Sequence, residues 1–276
     1  MKRRVGIVLQ LISLVTLSGC NFIRVDHNKA LDRITEISDN YVYVKGVQSL
    51  QTESSLEITT EKKSSSEEIN MKYTVETYLK VFTPIYFLYK RTTIKCEDLI
   101  TGHSVLDEIV TWKFKRGTQF YLLTSKTVHN EETKTYNAIE ANEENKNNLK
   151  KEMKDEINLS FNSKDRDDCI DVSMEVINRD AIGENIKTKY ITYGHGDLTV
   201  VASAENSVTN ENIDSFSKEN YYIEWKKYSL RNESSFVVES TTNRETNEYS
   251  KVTTKTSHSF KTFVIPTFPK IKQFKK

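Results

Sequence analysis

Cysteine, histidine and carboxylate side chains are the groups of this 276-residue chain that could do chemistry, so their spacing is the first test of function. The five histidines, His27, His103, His129, His195 and His258, are scattered. None stands four residues from another, as a metal-binding helix needs, and His-Glu-x-x-His is absent. His195 and Asp197 flank Gly196, a bracketing that a glycine hairpin turn explains without catalysis. Asp165, Asp167 and Asp168 crowd one segment. A calcium loop there would need a sixth-position glycine and a twelfth-position glutamate, and Val176 stands at the latter. Glu131-Glu132 and Glu143-Glu144 lie in polar stretches with nothing to raise a carboxylate pKa, and no Gly-x-Ser-x-Gly elbow occurs. With no nucleophile, base and oxyanion donor in view, the chain reads as non-enzymatic, with no cofactor and no metal.

Three thiols remain: Cys20, Cys96 and Cys169. Cys20 follows Leu17-Ser18-Gly19, behind the charges of Lys2, Arg3 and Arg4 and an almost unbroken apolar run over the 13 residues Val5 to Leu17. A run of that length suits an export signal and is too short to span a bilayer as a mature helix. The segment resembles the lipobox of bacterial lipoproteins. The resemblance implies cleavage before Cys20 and a diacylglyceryl group on its sulfur. The body is then lipid-anchored to the bacterial cell membrane and faces away from the cytoplasm. Two acyl chains, at about 0.8 kcal/mol per buried methylene, anchor stably. On this reading residues 1–19 are a signal peptide, 20–29 a lipidated tether, and 30–276 a single β-rich domain, with 30–137 and 159–276 as its possible halves. Loss of the signal takes the formal charge from +1 to −2. The nine residues from Asn21 to Lys29 reach at most about 30 Å. Cys96 and Cys169 face an oxidising compartment, which leaves two readings open. One is a disulfide closing a loop of about 74 residues, worth roughly 4 kcal/mol; the other is two separate buried thiols.

Composition narrows the classes further. The balance of 40 Lys+Arg against 39 Asp+Glu argues against a nucleic-acid binder, which carries a basic excess. Hydrophobic residues are scarce at 37 %, yet 10 % aromatics argue against global disorder. Eight glycines and three prolines exclude collagen-like chains and disfavour glycine-loop nucleotide sites.

The elements that must position these groups follow from periodicity. Asp26 or Asn28 caps a first helix with Leu31, Ile34, Ile37 and Ser38 on one face, ending near Tyr41. Beyond it the period is two: the odd positions from Ile69 to Val81 read Ile, Met, Tyr, Val, Thr, Leu, Val. Strands are expected over 48–61, Ile69–Val81, Ile85–Cys96, Leu106–Phe114 and Phe120–Val128, an antiparallel series with short connections. Leu149, Met153 and Ile157 recur every fourth residue and mark a surface helix within 138–158. Strands resume at Cys169–Asn178, Ile186–Tyr193 and Leu198–Val208, with Gly194–Asp197 as a tight turn. One helical turn is expected over Asn212–Lys218. Tyr221–Leu230, Ser235–Thr242 and Tyr249–Phe260 complete the sheet, the last polar on both faces and so either at an edge or weakly paired. The class is mainly β (α+β): a large curved antiparallel sheet or half-barrel, with an N-terminal helix and one or two covering helices.

Aromatic residues fall on both faces of single strands, as Tyr86 beside Phe87 and Phe120 beside Tyr121 do. One face must meet a core; the other lines an apolar site or packs under a helix. Tyr86, Phe87, Trp112, Phe120, Tyr121 and Trp225 are therefore the candidate ligand-binding residues. The terminal Lys270, Lys272, Lys275 and Lys276 read as a solvated tail, with contact to anionic headgroups as the alternative. The layout of anchor, helix and long antiparallel strands resembles the bacterial lipoprotein-carrier half-barrel superfamily. That resemblance implies a curved sheet wrapping a helix-covered apolar cavity for acyl chains. The expected function is a membrane-anchored protein that binds an apolar or lipid-like ligand near the membrane. The alternative is a surface structural or interaction lipoprotein that binds another envelope protein through the polar strand 249–260.

Overall fold

The computed structural model describes residues 23–41, 47–129, 131–162, 166–262 and 264–275. The signal segment 1–19, Cys20, Asp165 and Lys276 lie outside them. Among the described residues twelve strands form one antiparallel sheet. They are β1 (Ile23–Val25), β2 (Ser49–Lys63), β3 (Glu68–Phe82), β4 (Phe87–Asp98), β5 (Ser104–Arg116), β6 (Gln119–Val128), β7 (Glu131–Glu140), β8 (Ile186–Thr192), β9 (Leu198–Thr209), β10 (Ile213–Lys226), β11 (Ser229–Asn243) and β12 (Glu248–Lys261). Three helices accompany them: α1 (His27–Asn40), α2 (Glu143–Asn162) and α3 (Arg166–Ile182). The sheet order is β1-β8-β9-β10-β11-β12-β2-β3-β4-β5-β6-β7, open and curved, the half-barrel α+β architecture expected.

Several boundaries differ from the expectation. The segment 169–178 is not a strand but part of α3, and 212–218 is not a helical turn but the start of β10. The strand 249–260 is not an edge: β12 pairs with β11 on one side and β2 on the other. The edges are β1 and the charged β7. The tether over 20–29 is shorter than expected, because Ile23–Val25 already pair with β8 and α1 begins at His27. No disulfide joins Cys96 to Cys169. Cys96 is exposed on β4, whereas Cys169 is buried in α3 with its Sγ 3.5 Å from Glu233 Oε2.

Register explains the core. Leu50 lies opposite Val81, which lies opposite Leu88, and Thr52 sits between Leu79 and Phe260. This row stands on one face near one end of the strands, where the helices cover it. Asp26 caps α1, its Oδ1 accepting the Lys29 N–H at 3.0 Å. The helix then buries Ala30, Ile34 and Ile37. Leu149, Met153 and Ile157 bury the stripe of α2. Lys90 of β4 holds Glu156 of that helix at 2.9 Å, and Lys113 of β5 pairs with Glu152. In α3 the buried positions are Cys169, Ile170, Ser173, Val176 and Ile177, a helical spacing. Ser173 fits there because its hydroxyl donates to the Cys169 carbonyl at 3.0 Å. These side chains form one continuous core with Leu198, Val200, Ile223 and Trp225. The carrier resemblance puts a cavity between helices and sheet, where the described side chains form this core.

The strands run on past the helices, where apolar side chains stay open. On the helix-side face Tyr73, Ile94 and Ile109 are 40 %, 38 % and 45 % exposed. On the opposite face Glu57 of β2 links three strands, 2.7 Å from Lys255 of β12 and 2.7 Å from Lys72 of β3. Two turns at the helix-covered end also lock together. Tyr228 N–H donates to the Gly196 carbonyl at 2.9 Å, Lys227 N–H to Asp197 Oδ1 at 2.7 Å, and Tyr228 OH to Glu36 Oε1 at 2.9 Å.

Two outcomes follow from these contacts. Gly196 has φ +69°, and a Cβ there would meet the Tyr228 ring at 2.7 Å. Gly196→Ala is expected to lower stability by about 2 kcal/mol in urea unfolding, part of it recovered in the Gly196→Ala/Tyr228→Ala double variant. The Lys255 and Lys72 ammonium groups hold the Glu57 carboxyl below its ordinary value of 4.5. The folded state then binds fewer protons there than the unfolded state. Its stabilisation is complete above the ordinary value and lost as pH falls through the lowered one. Glu57→Gln should cost about 0.5–1 kcal/mol at neutral pH and narrow to parity with the native chain in acid.

Candidate functional site

The face of the sheet opposite the helices carries an aromatic surface built by cross-strand pairing. Phe87, Phe114 and Tyr121 stand opposite one another across β4, β5 and β6, and Tyr89, Trp112, Leu123 and Tyr136 form the next row, reaching β7. Phe114 stacks on Tyr121 with ring centroids 5.5 Å apart, and Trp112 lies 5.4 Å from Tyr89. Pairs of this kind add about 0.5–1.5 kcal/mol beyond the area that they bury.

The chain's last segment covers that surface. It leaves β12 after Lys261, and Val264 is already buried at 3 % exposure. Pro266 and Pro269 bracket Phe268, whose ring lies 5.3 Å from both Phe87 and Phe114. A short 3₁₀ turn, Ile271–Gln273, then sets Phe274 against Trp112 at 5.5 Å. Lys275 places its ammonium 5.3 Å above the Tyr136 ring. Val264, Phe268, Ile271 and Phe274 thus form a strap across four strands. The segment is held to the sheet by its aromatic residues rather than frayed, while Lys270, Lys272 and Lys275 stay exposed and Lys276 lies outside the described residues.

A cleft opens on each side of the strap. The larger, about 670 Å³, has Phe114, Phe268 and Ile271 as apolar walls and Arg116, Lys270 and Lys272 around them. Among the described residues no carboxylate lies within ion-pair distance of those three cations. The smaller, about 310 Å³, runs between Tyr78, Lys80, Tyr89, Trp112 and the Thr267–Pro269 stretch. Burial pushes the Tyr89 hydroxyl above its ordinary value, with Arg91 pulling weakly the other way, so it stays a neutral hydrogen-bonding group. Volumes of this size match small-molecule sites. Apolar strap side chains beside cations that no described carboxylate pairs with suit a molecule with an apolar body and an anionic end.

The expected candidates divide. Phe87, Trp112 and Tyr121 come together on this face. Tyr86 and Phe120 pack on each other at 5.4 Å on the helix side. Trp225 lies in the helix-side core, away from both clefts, and Phe87 is itself fully buried beneath Phe268. Phe114, Tyr136 and the strap residues were missing from the expectation. The signal for the strap lay in the threefold spacing of Phe268, Ile271 and Phe274 between prolines and lysines.

Truncating Phe274 tests the strap. Phe274→Ala is expected to cost about 3 kcal/mol of strap docking. Acrylamide should then quench the Trp112 share of the emission more strongly, while the buried Trp225 share stays protected.

Among the described residues no helix is long and apolar enough to cross a membrane. No known family's sequence profile matches this chain, and no curated protein matches it.

Proposed function

We propose that this is a lipid-anchored, non-enzymatic binding protein that takes an amphiphilic ligand with an anionic end into the strapped cleft. The single observation that carries the reading is the 670 Å³ cleft, with Phe114, Phe268 and Ile271 on its walls and Arg116, Lys270 and Lys272 beside them. An acyl or similar body lies against Phe268 and Ile271 over the buried Phe114, and the cations neutralise its head. Charge-assisted contacts there are worth about 1.5–3 kcal/mol each when well aligned. Cys20, through its resemblance to the lipobox, supplies the membrane hold. The site is nine strand spacings from β1, roughly 43 Å along the curved sheet at 4.8 Å per strand.

The alternative is binding of another envelope protein through a sheet edge or a Ser/Thr-rich face at strand 249–260; β12 is an interior strand, so only the face is left to that reading.

Two measurements test the proposal. The full chain should take up cis-parinaric acid with a fluorescence rise. The Arg116→Ala/Lys270→Ala/Lys272→Ala variant should bind it about tenfold more weakly, and the methyl ester of the probe should be insensitive to those substitutions. No uptake by the native chain would remove the ligand reading. For the anchor, labelled palmitate should enter the native protein and not the Cys20→Ser variant, which should leave the membrane fraction. Equal fractionation of the two would remove the lipid.

A further inference from the structure

The structure shortens the link between the anchor and the folded body, and this bears on how the body sits. Ile23 pairs with Thr192 as the first residue of β1. Three residue steps separate it from Cys20, at most about 11 Å of chain. A diacylglyceryl thioether sits at the boundary between headgroups and acyl chains, and the headgroup layer beyond it is about 5–8 Å deep. A residue on an 11 Å leash from that boundary stays within or against the headgroups.

The corner of the body that holds Ile23 is built for such a place. Ile23 is 62 % exposed and Tyr193, one residue past the strand partner of Ile23, is 48 % exposed. Lys226 holds its ammonium 5.7 Å above the Tyr193 ring while pairing with Glu224 at 2.9 Å. Lys227 follows on the adjoining turn, which Asp197 and Gly196 fix from the backbone side. Ile23 stands at the same end of the sheet as Tyr193, Lys226 and Lys227, and a tyrosine with long lysine stems matches the residue types that settle at a membrane–water interface.

We infer that the corner formed by Ile23, Tyr193, Lys226 and Lys227 docks in the interfacial layer of the bilayer that holds the Cys20 lipid. This rests on the lipid-anchor reading above. It adds an orientation: the β1–β8 edge lies down on the membrane, and the turn at Leu99 and Ile100, at the other end of the strands, points away from it. The Tyr193 ring sits at headgroup depth, and the two lysine stems lie along the surface with their charges outward. The link is too short for the body to swing free, so the corner remains in contact even on a bilayer without anionic lipid.

The test uses the full chain recovered from bacterial membranes and reconstituted into phosphatidylcholine vesicles in which part of the lipid carries brominated acyl chains. Tyr193→Trp places a depth reporter at the corner, and Leu99→Trp places one at the other end. Relative to the native emission, the Tyr193→Trp signal should fall about twofold on brominated vesicles, and the Leu99→Trp signal should not change. In the unsubstituted chain, Lys227 should be acetylated more slowly on vesicles than in detergent, which checks the contact without a substitution. A vesicle-bound protein with no quenching at either site, or equal quenching at both, and with Lys227 unprotected, overturns the docking and leaves the anchor standing. A protein that leaves the vesicles as readily as the Cys20→Ser variant overturns the anchor, and the docking falls with it.

Discussion

One ladder holds the molecule together as a single body. β2 to β7 form one antiparallel meander and β8 to β12 another, and the register from Gln51 with Lys261 to Lys63 with Tyr249 joins them. The residues it pairs are far apart in the chain; Glu57 and Lys255 are 198 positions apart. Without the ladder, β2 and β12 would each expose a full row of unpaired backbone groups. Bringing such distant strands together costs loop entropy before any contact is made, so this pairing is expected to form late in folding. The connection that carries α2 and α3 spans the two meanders, and the helices bury core residues from both.

The two faces of the sheet meet different chemistry because their cover is short. The helices shield only one end of one face, where Leu50, Val81, Leu88 and Trp225 gather. The strap shields part of the other face, over Phe87, Trp112 and Phe114. Elsewhere the long strands are close to a single layer. Their stability there comes from neighbours within the sheet, such as Ser235 with Thr256 at 2.7 Å and the Glu57 ion pairs. That arrangement accounts for a hydrophobic share of only 37 % in so large a fold. It also leaves the strap as a thin element over an aromatic floor, which is why the clefts open beside it.

Much of the fold was legible because alternation is a local signal. β2 to β6, β8, β9 and the Gly194–Asp197 turn stand within a few residues of where period two and the glycines put them. The first helix begins at its Asp26 cap, and Leu149, Met153 and Ile157 do form the buried stripe of α2. The miss at α3 has a specific cause. Val172, Val176 and Ile177 favour strands, and the polar Ser173 interrupts the apolar stripe. The better signals were Asp167 and Asp168 at the helix start and Arg179 near its end, which suit the helix dipole. The polar β12 was expected at an edge or in weak pairing because hydrophobicity alone was weighed. An interior strand can be polar on both faces where no second layer covers it.

The sequence by itself determined the period of each long segment, the first helix cap, the tight glycine turn and the export-signal pattern that ends at Cys20. Each of these depends on neighbours a few residues away. Only the tertiary structure decided that β12 lies beside β2, that Cys96 and Cys169 stand apart, and that the chain's end folds back over Trp112. It also decided which aromatic residues face a cleft and which, like Trp225, fill the core. The physical reason is range. Hydrogen-bonded register and side-chain packing between distant segments are settled by the free energy of the whole sheet, and no local window of residues contains that choice.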